Sequence, residues 1–248
     1  MNEPAQELVW LRRQAHPPLG QKEVHAWLAD LRRNAEEIDA FKLLLSNEEQ
    51  ERASRFHFDK DRRRFTASRA ILRELLARYL NAAAGAIRFH YNAHGKPEVA
   101  EPVSDFSFNV SHSGDYALYA FTRNRAVGID VEQIRPDFAT AEIAERFFSR
   151  NEVERFTGLP AEQQREAFFQ CWTRKEAYIK AHGLGLALPL HSFAVAFGRG
   201  CSPALLSHER DQELPSAWKF WNLPAPVGYV GAVAVRGTDL RLRLFVWD

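Results

Sequence analysis

The sequence predicts an α+β fold made of two similar lobes, and two observations lead to this prediction. The segment SNEEQER (46–52) returns as SRNEVER (149–155), with four of seven positions identical at an offset of 103 residues. Each copy is followed by a longer stretch of helical spacing and later by a short apolar strand pattern. A chance match between two helix starts is the alternative. The repeated order of elements favours duplication, and we place the two lobes at residues 1–125 and 126–248.

The elements of the first half begin with a strand and continue with helices. Residues 23–31 have the pattern of a strand or of a strand followed by a turn. Ser46-x-x-Glu49 is a capping box, in which two side chains satisfy free amides at a helix start. Residues 61–80 carry apolar side chains at helical spacing, which predicts a second helix. Three further strands are predicted at residues 87–91, 106–110 and 116–122.

The second half repeats this order. VGIDVE (127–132) is predicted as a strand, and Ser149 starts the repeated helix. A longer helix follows over residues 161–182, and YVGAVAV (229–235) has the pattern of a later strand. Segment 198–226 contains two glycines and four prolines, so we predict that it is mostly loop.

Composition limits the possible function classes. The chain has 248 residues, of which 46% are hydrophobic, so it can bury a sizeable core. Its 33 basic and 32 acidic residues balance to a net charge of +1, which argues against a general binder of nucleic acid or of membrane surfaces. Two cysteines are too few for a disulfide framework, and the chain start has no signal-peptide pattern. We expect a cytoplasmic protein and, because two fused lobes enclose their own seam, a monomer.

Two acidic residues, Asp130 and Glu132, follow the apolar start of the strand predicted at residues 127–132. Side chains alternate along a strand, so both carboxylates are expected on the same face. Hard cations such as Mg²⁺ take oxygen ligands, commonly one or two carboxylates together with substrate phosphate and water. Ion pairs with nearby arginines are the alternative, and this pattern alone does not decide between the two.

The helical segment WTRKEAYIKAHGLGL (172–186) carries further charged residues. Glu176 and Lys180 have the i,i+4 spacing that ordinarily gives a solvated ion pair. Packing residues crowd the same helix, so Lys175 and Glu176 are expected at the border of a buried surface. Only seven of the 33 basic residues are lysines. A lysine kept where arginine is the usual cation suggests a compact charge for phosphate.

A hydrolase reading of Ser111 and His112, which are neighbours in FNVSHSG (108–114), meets two objections. The G-x-S-x-G motif is missing there, and adjacent residues cannot easily form a nucleophile–base hydrogen bond. At a strand end, both side chains are better placed to donate hydrogen bonds to an anion, with a capped turn as the alternative. Lys96 is presented by the turn HGKP, and Arg64 belongs to a basic run whose alternative role is an exposed face.

In their order and spacing, these segments resemble the 4′-phosphopantetheinyl transferases of the two-lobed type that activates surfactin synthetase. The motifs that carry the resemblance are GKP, FNVSHS, GIDVE, RFFS-x-x-E and W-x-x-KEAYIKA-x-G-x-GL, and it extends from about Ser46 to Phe193. The resemblance implies two lobes in pseudo-twofold relation with coenzyme A in the cleft between them. It also implies a second substrate, an apo acyl or peptidyl carrier protein, whose serine receives phosphopantetheine while adenosine 3′,5′-bisphosphate is released.

The resemblance also implies roles for individual residues. Mg²⁺ would be held by Asp130, Glu132 and Glu176. The catalytic group would comprise Asp130, Lys180, which stabilises developing charge, and Glu176, which takes the serine proton directly or through water on the metal. Coenzyme A would be bound by Arg52, Arg64, Lys96, Ser111, His112, Lys175 and Lys180. Glu49 stands where relatives often carry a base, so any phosphate contact from that helix depends on Arg52.

Two alternatives lie outside this family. A hydrolase that used Ser111 or His112 would form a covalent serine adduct and need no metal. A non-catalytic docking protein would keep three acids facing a cleft with no cation to offset their repulsion, which argues against it. For the carrier partner, Arg146 and Arg150 have i,i+4 spacing and are predicted to share a helix face that attracts acidic side chains. Phe147 and Phe148 lie between them, and at least one is expected to be a core residue.

Overall fold

The fold is α+β, as predicted, and the computed structural model describes residues 8–12, 17–135, 137–209 and 214–248. The elements up to residue 125 are β1 (Leu11–Arg12), β2 (Glu23–Asp30), α1 (Ala35–Lys42), α2 (Asn47–Ser54), α3 (Asp59–Leu80), β3 (Arg88–Tyr91), β4 (Pro97–Glu101), β5 (Phe106–Ser113) and β6 (Tyr116–Arg123). Those that follow are β7 (Val127–Gln133), α4 (Ala141–Phe147), α5 (Arg150–Thr157), α6 (Ala161–His182), β8 (Phe193–Val195), β9 (Leu205–His208), β10 (Trp218–Leu223), β11 (Tyr229–Arg236) and β12 (Arg241–Trp247). No helix in these ranges is long and apolar enough to cross a membrane.

The same three-stranded unit occurs twice. In the first sheet, β6 lies between β5 and β2, and both pairings are antiparallel. In the second sheet, β11 lies between β10 and β7 in the same way. The strand β12 comes last in the chain yet pairs in parallel with β2, so it belongs to the first sheet. The division of the chain at residues 125 and 126 stays a prediction.

Within the segment predicted as mostly loop, 198–226, the sequence did not reveal two strands, β9 and β10. Strand β10 pairs with β11 along its whole length, and alternate side chains such as Trp218 and Phe220 are buried. The prolines that suggested a loop lie outside these strands, at positions where they remove no ladder hydrogen bond. Neighbouring strands therefore supply the pairing that the local sequence does not reveal.

Each lobe has a 22-residue helix, α3 in the first and α6 in the second. Both helices end at a residue in the left-handed conformation, Asn81 with φ 49° and Gly183 with φ 72°. The short helix before each has a glutamate in its first turn, and this glutamate accepts a hydrogen bond from the backbone amide of the capping serine. Glu49 accepts from Ser46 at 2.9 Å and Glu152 from Ser149 at 2.7 Å. The repeated helix start that the sequence predicted is therefore present in both lobes.

Gly128 sets the distance between α6 and β7. A Cβ atom at this position would lie 2.0 Å from the carbonyl oxygen of Ala177 and 2.4 Å from the nitrogen of Ala181. Only a glycine lets the helix backbone approach the strand this closely. The close approach brings the cleft-facing residues of α6 next to the acids of β7.

Candidate active site

Asp130 lies at the centre of the site and is only 2% exposed. Its Oδ1 atom accepts hydrogen bonds from the Ser111 hydroxyl at 2.8 Å and from the Lys180 ammonium at 2.6 Å. Its Oδ2 atom is buried and has no hydrogen-bond partner among the described residues. A buried carboxylate oxygen without a partner is costly, so this atom marks a position suited to a cation or a donor.

Glu132 and Glu176 lie close enough to Asp130 for the three carboxylates to influence one another. Burial and the charge of Asp130 raise the pKa of Glu132, although a hydrogen bond from Ser113 at 2.8 Å opposes them. The pKa of Glu176 is raised to about 7, chiefly by burial and also by the charges of Asp130 and Glu132, with Lys180 opposing the shift. The structure thus places the three predicted metal ligands within electrostatic range of one another, where their mutual repulsion favours either a proton or a cation.

The carboxylates of Asp130, Glu132 and Glu176 are ligands of the type that a divalent cation prefers, but they are not arranged as a complete coordination site. No three acidic, histidine or cysteine side chains of the described ranges lie close enough together to hold a metal ion as they stand. The Lys180 ammonium instead neutralises Asp130. The buried oxygen of Asp130 that has no described partner, and the raised pKa values of Glu132 and Glu176, indicate that added positive charge would be favourable here.

Several cations lie near His112. Partial desolvation and the positive charges of Lys180, Arg52 and Arg64 lower the pKa of His112. Arg64 also forms an ion pair with Asp115. The predicted phosphate-binding residues Arg52, Arg64 and His112 therefore share one electropositive region, which suits an anion.

Glu49, on the same helix as Arg52, has a structural role. It is buried and pairs with Arg69 and with Arg73, whose Nε lies 2.6 Å from the Glu49 carboxylate. The charge of Glu49 is therefore already neutralised by these arginines. Of the residues on α2, Arg52 is the one that could contact an anion. Arg52 itself lies over the ring of Phe65, 5.4 Å from its centroid.

Lys96 lies where the β3–β4 turn meets the second lobe. Its ammonium donates to the carbonyl oxygens of Val127 at 3.2 Å and Ala181 at 3.1 Å. Burial lowers the pKa of Lys96 to about 8. Two of its three donors thus tie β7 and α6 to the first lobe.

Lys175 does not face the cleft, so its prediction as a phosphate-binding residue is wrong. Its side chain is 0% exposed, forms an ion pair of 2.7 Å with Glu152, and donates to the carbonyl oxygens of Leu190 and Phe193. All three donors of the ammonium are occupied. Consecutive residues of a helix project about 100° apart, so with Glu176 at the acid group Lys175 turns into the core.

The predicted arginine pair for carrier docking is also wrong in its geometry. Helix α4 ends at Phe147, the next residue is extended with ψ 155°, and α5 begins at Arg150. Arg146 and Arg150 therefore lie on different helices, and Arg150 pairs with Glu154 at 3.2 Å. Phe148 is a buried core residue, as expected for one of the two phenylalanines, whereas Phe147 is partly buried with its ring against Trp172.

Sequence reasoning missed Asn109 and Ser113 on β5. The Asn109 side-chain oxygen accepts from the Ile129 amide at 2.9 Å, and the Ser113 hydroxyl contacts both Glu132 and the Gln133 amide. A signal was available, because Asn109, Ser111 and Ser113 occupy alternate positions of one strand and so share a face.

Comparisons with known proteins show which family the chain resembles. A family model described as 4′-phosphopantetheinyl transferase superfamily matches residues 126–234, and one described as 4′-phosphopantetheinyl transferase, N-terminal, matches residues 32–124. The 4′-phosphopantetheinyl transferase HetI of Nostoc is 39% identical over 230 residues, which cover 92% of this chain and 94% of the relative. The 4′-phosphopantetheinyl transferase Sfp of Bacillus subtilis is 35% identical over 160 residues, 64% of this chain and 70% of the relative. Among solved structures, holo-[acyl-carrier-protein] synthase of Thermotoga maritima matches with a TM-score of 0.36 and 22% identity, covering 46% of this chain and 63% of that chain.

Proposed function

This chain belongs to the 4′-phosphopantetheinyl transferase family, and we propose that it transfers 4′-phosphopantetheine from coenzyme A to a serine of apo acyl or peptidyl carrier proteins. The reaction would depend on Mg²⁺ and release adenosine 3′,5′-bisphosphate. One observation carries the proposal: Asp130 has one oxygen on Lys180, and its other oxygen is buried with no partner among the described residues, near the carboxylates of Glu132 and Glu176. We infer that the enzyme acts as a monomer in the cytoplasm.

The acid group would hold the metal through Asp130, Glu132 and Glu176. When bound there, Mg²⁺ supplies charge neutralisation for the pyrophosphate of coenzyme A. The buried position of Asp130 supports this role because a carboxylate shielded from water interacts more strongly with a cation. Ser111 and Lys180 keep the Asp130 side chain in one orientation before any ligand arrives.

The electropositive region would bind the phosphates of coenzyme A. Arg52, Arg64 and His112 surround it. The positive charges of the two arginines contribute to the lowered pKa of His112. An arriving phosphate would restore the affinity of His112 for a proton, since an anion stabilises the charged imidazole. The third donor of Lys96 would extend this region toward the seam.

Chemistry would need a base and a stabilising charge. Glu176, a largely buried carboxylate of the acid group, would be the base for the carrier serine, directly or through a water. The serine oxygen attacks the β-phosphorus as its proton passes to Glu176. The bond from the β-phosphorus to the bridging oxygen breaks, and adenosine 3′,5′-bisphosphate leaves. Lys180 stabilises the charge that develops on the transferred group.

The deciding experiment incubates the protein with coenzyme A, Mg²⁺ and a panel of apo carrier proteins and measures the mass of each carrier. We expect a gain of one phosphopantetheine on a carrier, which is lost when the modified serine is replaced by alanine. A gain on the enzyme itself at Ser111 would instead support the hydrolase. Binding of carriers without any mass change on either protein would support a docking protein.

The phosphate region has its own test. Lys96→Ala and His112→Ala should weaken binding of coenzyme A more than binding of 3′-dephospho-coenzyme A, because each charge-assisted contact is worth roughly 1.5–3 kcal/mol. Calorimetric titration with both ligands measures the difference. Should either variant lose equal affinity for the two ligands, that residue does not read the 3′-phosphate.

A further inference from the structure

Strand β7 is paired on both edges, but in two different ways. One edge forms a backbone ladder with β11. The other edge faces β5, which belongs to the other sheet. There the amides of Ile129, Val131 and Gln133 donate to side-chain oxygens of β5, rather than to its backbone.

The β5 side chains form a regular series. Ile129 donates to the Asn109 side chain at 2.9 Å, Val131 to the Ser111 hydroxyl at 3.4 Å, and Gln133 to the Ser113 hydroxyl at 3.1 Å; we call this series the side-chain ladder. Its members alternate along both strands, so the contacts repeat with the period of two that strands impose. The contacts at Ile129 and Val131 are buried, so an amide that lost its partner there would cost roughly 1–3 kcal/mol, whereas the contact at Gln133 is exposed and should be worth less.

The two serines of the ladder also hold the acids. Ser111 donates to Asp130 at 2.8 Å, and Ser113 donates to Glu132 at 2.8 Å. A hydroxyl has one proton, and the amide of β7 already occupies a lone pair on each oxygen. The proton of each serine is thereby directed at the carboxylate, so that strand register and carboxylate orientation depend on the same atom.

We propose that Asn109 and Ser113 are positioning residues. Asn109 would fix the register of β5 against β7, and Ser113 would hold the Glu132 carboxylate toward the metal position. The part that concerns the metal rests on the proposed function. The part that concerns the register is independent of it, because the ladder contacts involve only protein atoms.

Ser107 supplies a matched control. It lies on β5 at the next position of the same alternating series, is half-buried, and within the described ranges makes no side-chain contact with a β7 amide. Ser107→Ala therefore removes the same atom from the same strand without touching the ladder. Ser113→Thr keeps the hydroxyl and is the conservative variant.

The first measurement is amide hydrogen exchange followed by nuclear magnetic resonance. In Ser113→Ala the Gln133 amide should exchange at least about tenfold faster than in the wild type, the equivalent of some 1.4 kcal/mol of lost protection. Ser113→Thr should restore slow exchange, and Ser107→Ala should leave it unchanged. Asn109→Ala should accelerate exchange at Ile129. Unchanged exchange at Gln133 in Ser113→Ala would overturn the ladder, and Ser113→Cys provides a second, same-sized variant should the alanine protein fail to fold.

The second measurement is Mn²⁺ binding by electron paramagnetic resonance, with coenzyme A present. Ser113→Ala should weaken Mn²⁺ binding roughly tenfold to a hundredfold, as the loss of a partner to a metal ligand commonly does. Ser113→Thr should rescue it, and Ser107→Ala should match the wild type. Faster exchange with unchanged Mn²⁺ binding would overturn the role at Glu132 while keeping the ladder. A wild-type protein that binds no Mn²⁺ would overturn the proposed metal site, and the exchange data would still decide the ladder.

Discussion

The two lobes share a scaffold, but only the second carries the acid group. In both, a buried glutamate of the short helix pairs with a basic residue of the long helix: Glu49 with Arg73 at 2.6 Å, and Glu152 with Lys175 at 2.7 Å. The two pairs occupy equivalent positions, since one joins α2 to α3 and the other joins α5 to α6. What the lobes have in common is therefore packing, which explains why Lys175 serves the core rather than a ligand.

The difference between the lobes lies on one strand. In the registers of β2 with β6 and of β7 with β11, Trp27 stands where the second lobe has Asp130, and His25 stands where it has Gly128. His25 and Trp27 both hydrogen-bond the hydroxyl of Tyr79 on α3, which fills the space between strand and helix. At Gly128 the backbone of α6 fills that space instead. The second lobe thus has Gly128 and Asp130 at the candidate site, where the first lobe has the core residues His25 and Trp27 at equivalent positions.

The largest expected effect comes from removing the acid that the first lobe lacks. Asp130→Ala should lower turnover by roughly a thousandfold, since it removes several kcal/mol of charge stabilisation and each tenfold corresponds to about 1.4 kcal/mol. The melting temperature should fall only slightly, because loss of the buried oxygen without a described partner offsets loss of the pair with Lys180, whose side chain is partly exposed. Initial rates of carrier modification and a thermal melt measure both. A near-normal rate in Mg²⁺ would contradict the role of Asp130 as a metal ligand and leave it a structural residue, like Trp27 in the first lobe.

The next effect concerns the pairs that the lobes share. Lys175→Met should destabilise the fold by roughly 3–5 kcal/mol, because it leaves Glu152 buried with no opposite charge. The KM for coenzyme A should not change in the folded fraction. Arg73→Met is the matched variant of the first lobe and should cost less, since Glu49 keeps Arg69. Chemical denaturation gives the stabilities, and a raised KM without lost stability would return Lys175 to the ligand site.

A pH effect should arise in the first lobe at His25. Burial lowers the pKa of His25 to about 4 from an ordinary value of 6.5, although Glu23 opposes the shift. The folded state thus favours neutral His25, so its contribution is complete above pH 6.5 and is lost as the pH falls from 6.5 toward 4. Between pH 7 and 4.5 this amounts to roughly 2–3 kcal/mol. Urea denaturation at both values should show a smaller pH dependence in His25→Gln, and an identical dependence in the two proteins would contradict the assignment.

The smallest effect is expected at the carrier surface. Arg146→Glu should raise the KM for an acidic carrier by roughly fivefold, the equivalent of one surface ion pair of about 1 kcal/mol, and flatten its salt dependence. Arg150→Glu should raise the carrier KM less, because Arg150 already pairs with Glu154 on α5, a different helix from that of Arg146. Lys42→Glu on α1, the first-lobe helix between β2 and α2, is the matched control. A carrier KM that is the same in Arg146→Glu and Lys42→Glu would move the docking surface elsewhere, while the KM for coenzyme A should stay constant throughout.

Short-range patterns in the sequence were enough to predict much of the fold. The capping boxes, the long helix over 161–182 and the strands at 116–122 and 127–132 depend on spacing within a few residues, and the structure contains all of them. Strand β12 was not predicted, because its pairing with β2 joins opposite ends of the chain. The break after Phe147 did have a local signal, because Ser149 caps the start of α5, and the prediction that Arg146 and Arg150 share a helix face did not use it.

The sequence by itself determined that Asp130 and Glu132 share one face, since alternation along a strand is a local property of the backbone. It also determined that Glu176 and Lys180 share a face of their helix, because i and i+4 are neighbours on any α-helix. Only the tertiary structure decided which face of α6 meets β7, and with it that Lys180 reaches Asp130 while Lys175 is enclosed by the core. Helical spacing relates residues to one another but leaves the rotation of the helix about its axis open. The contact at Gly128 and the buried pair with Glu152 set that rotation, and both depend on residues far away in the chain.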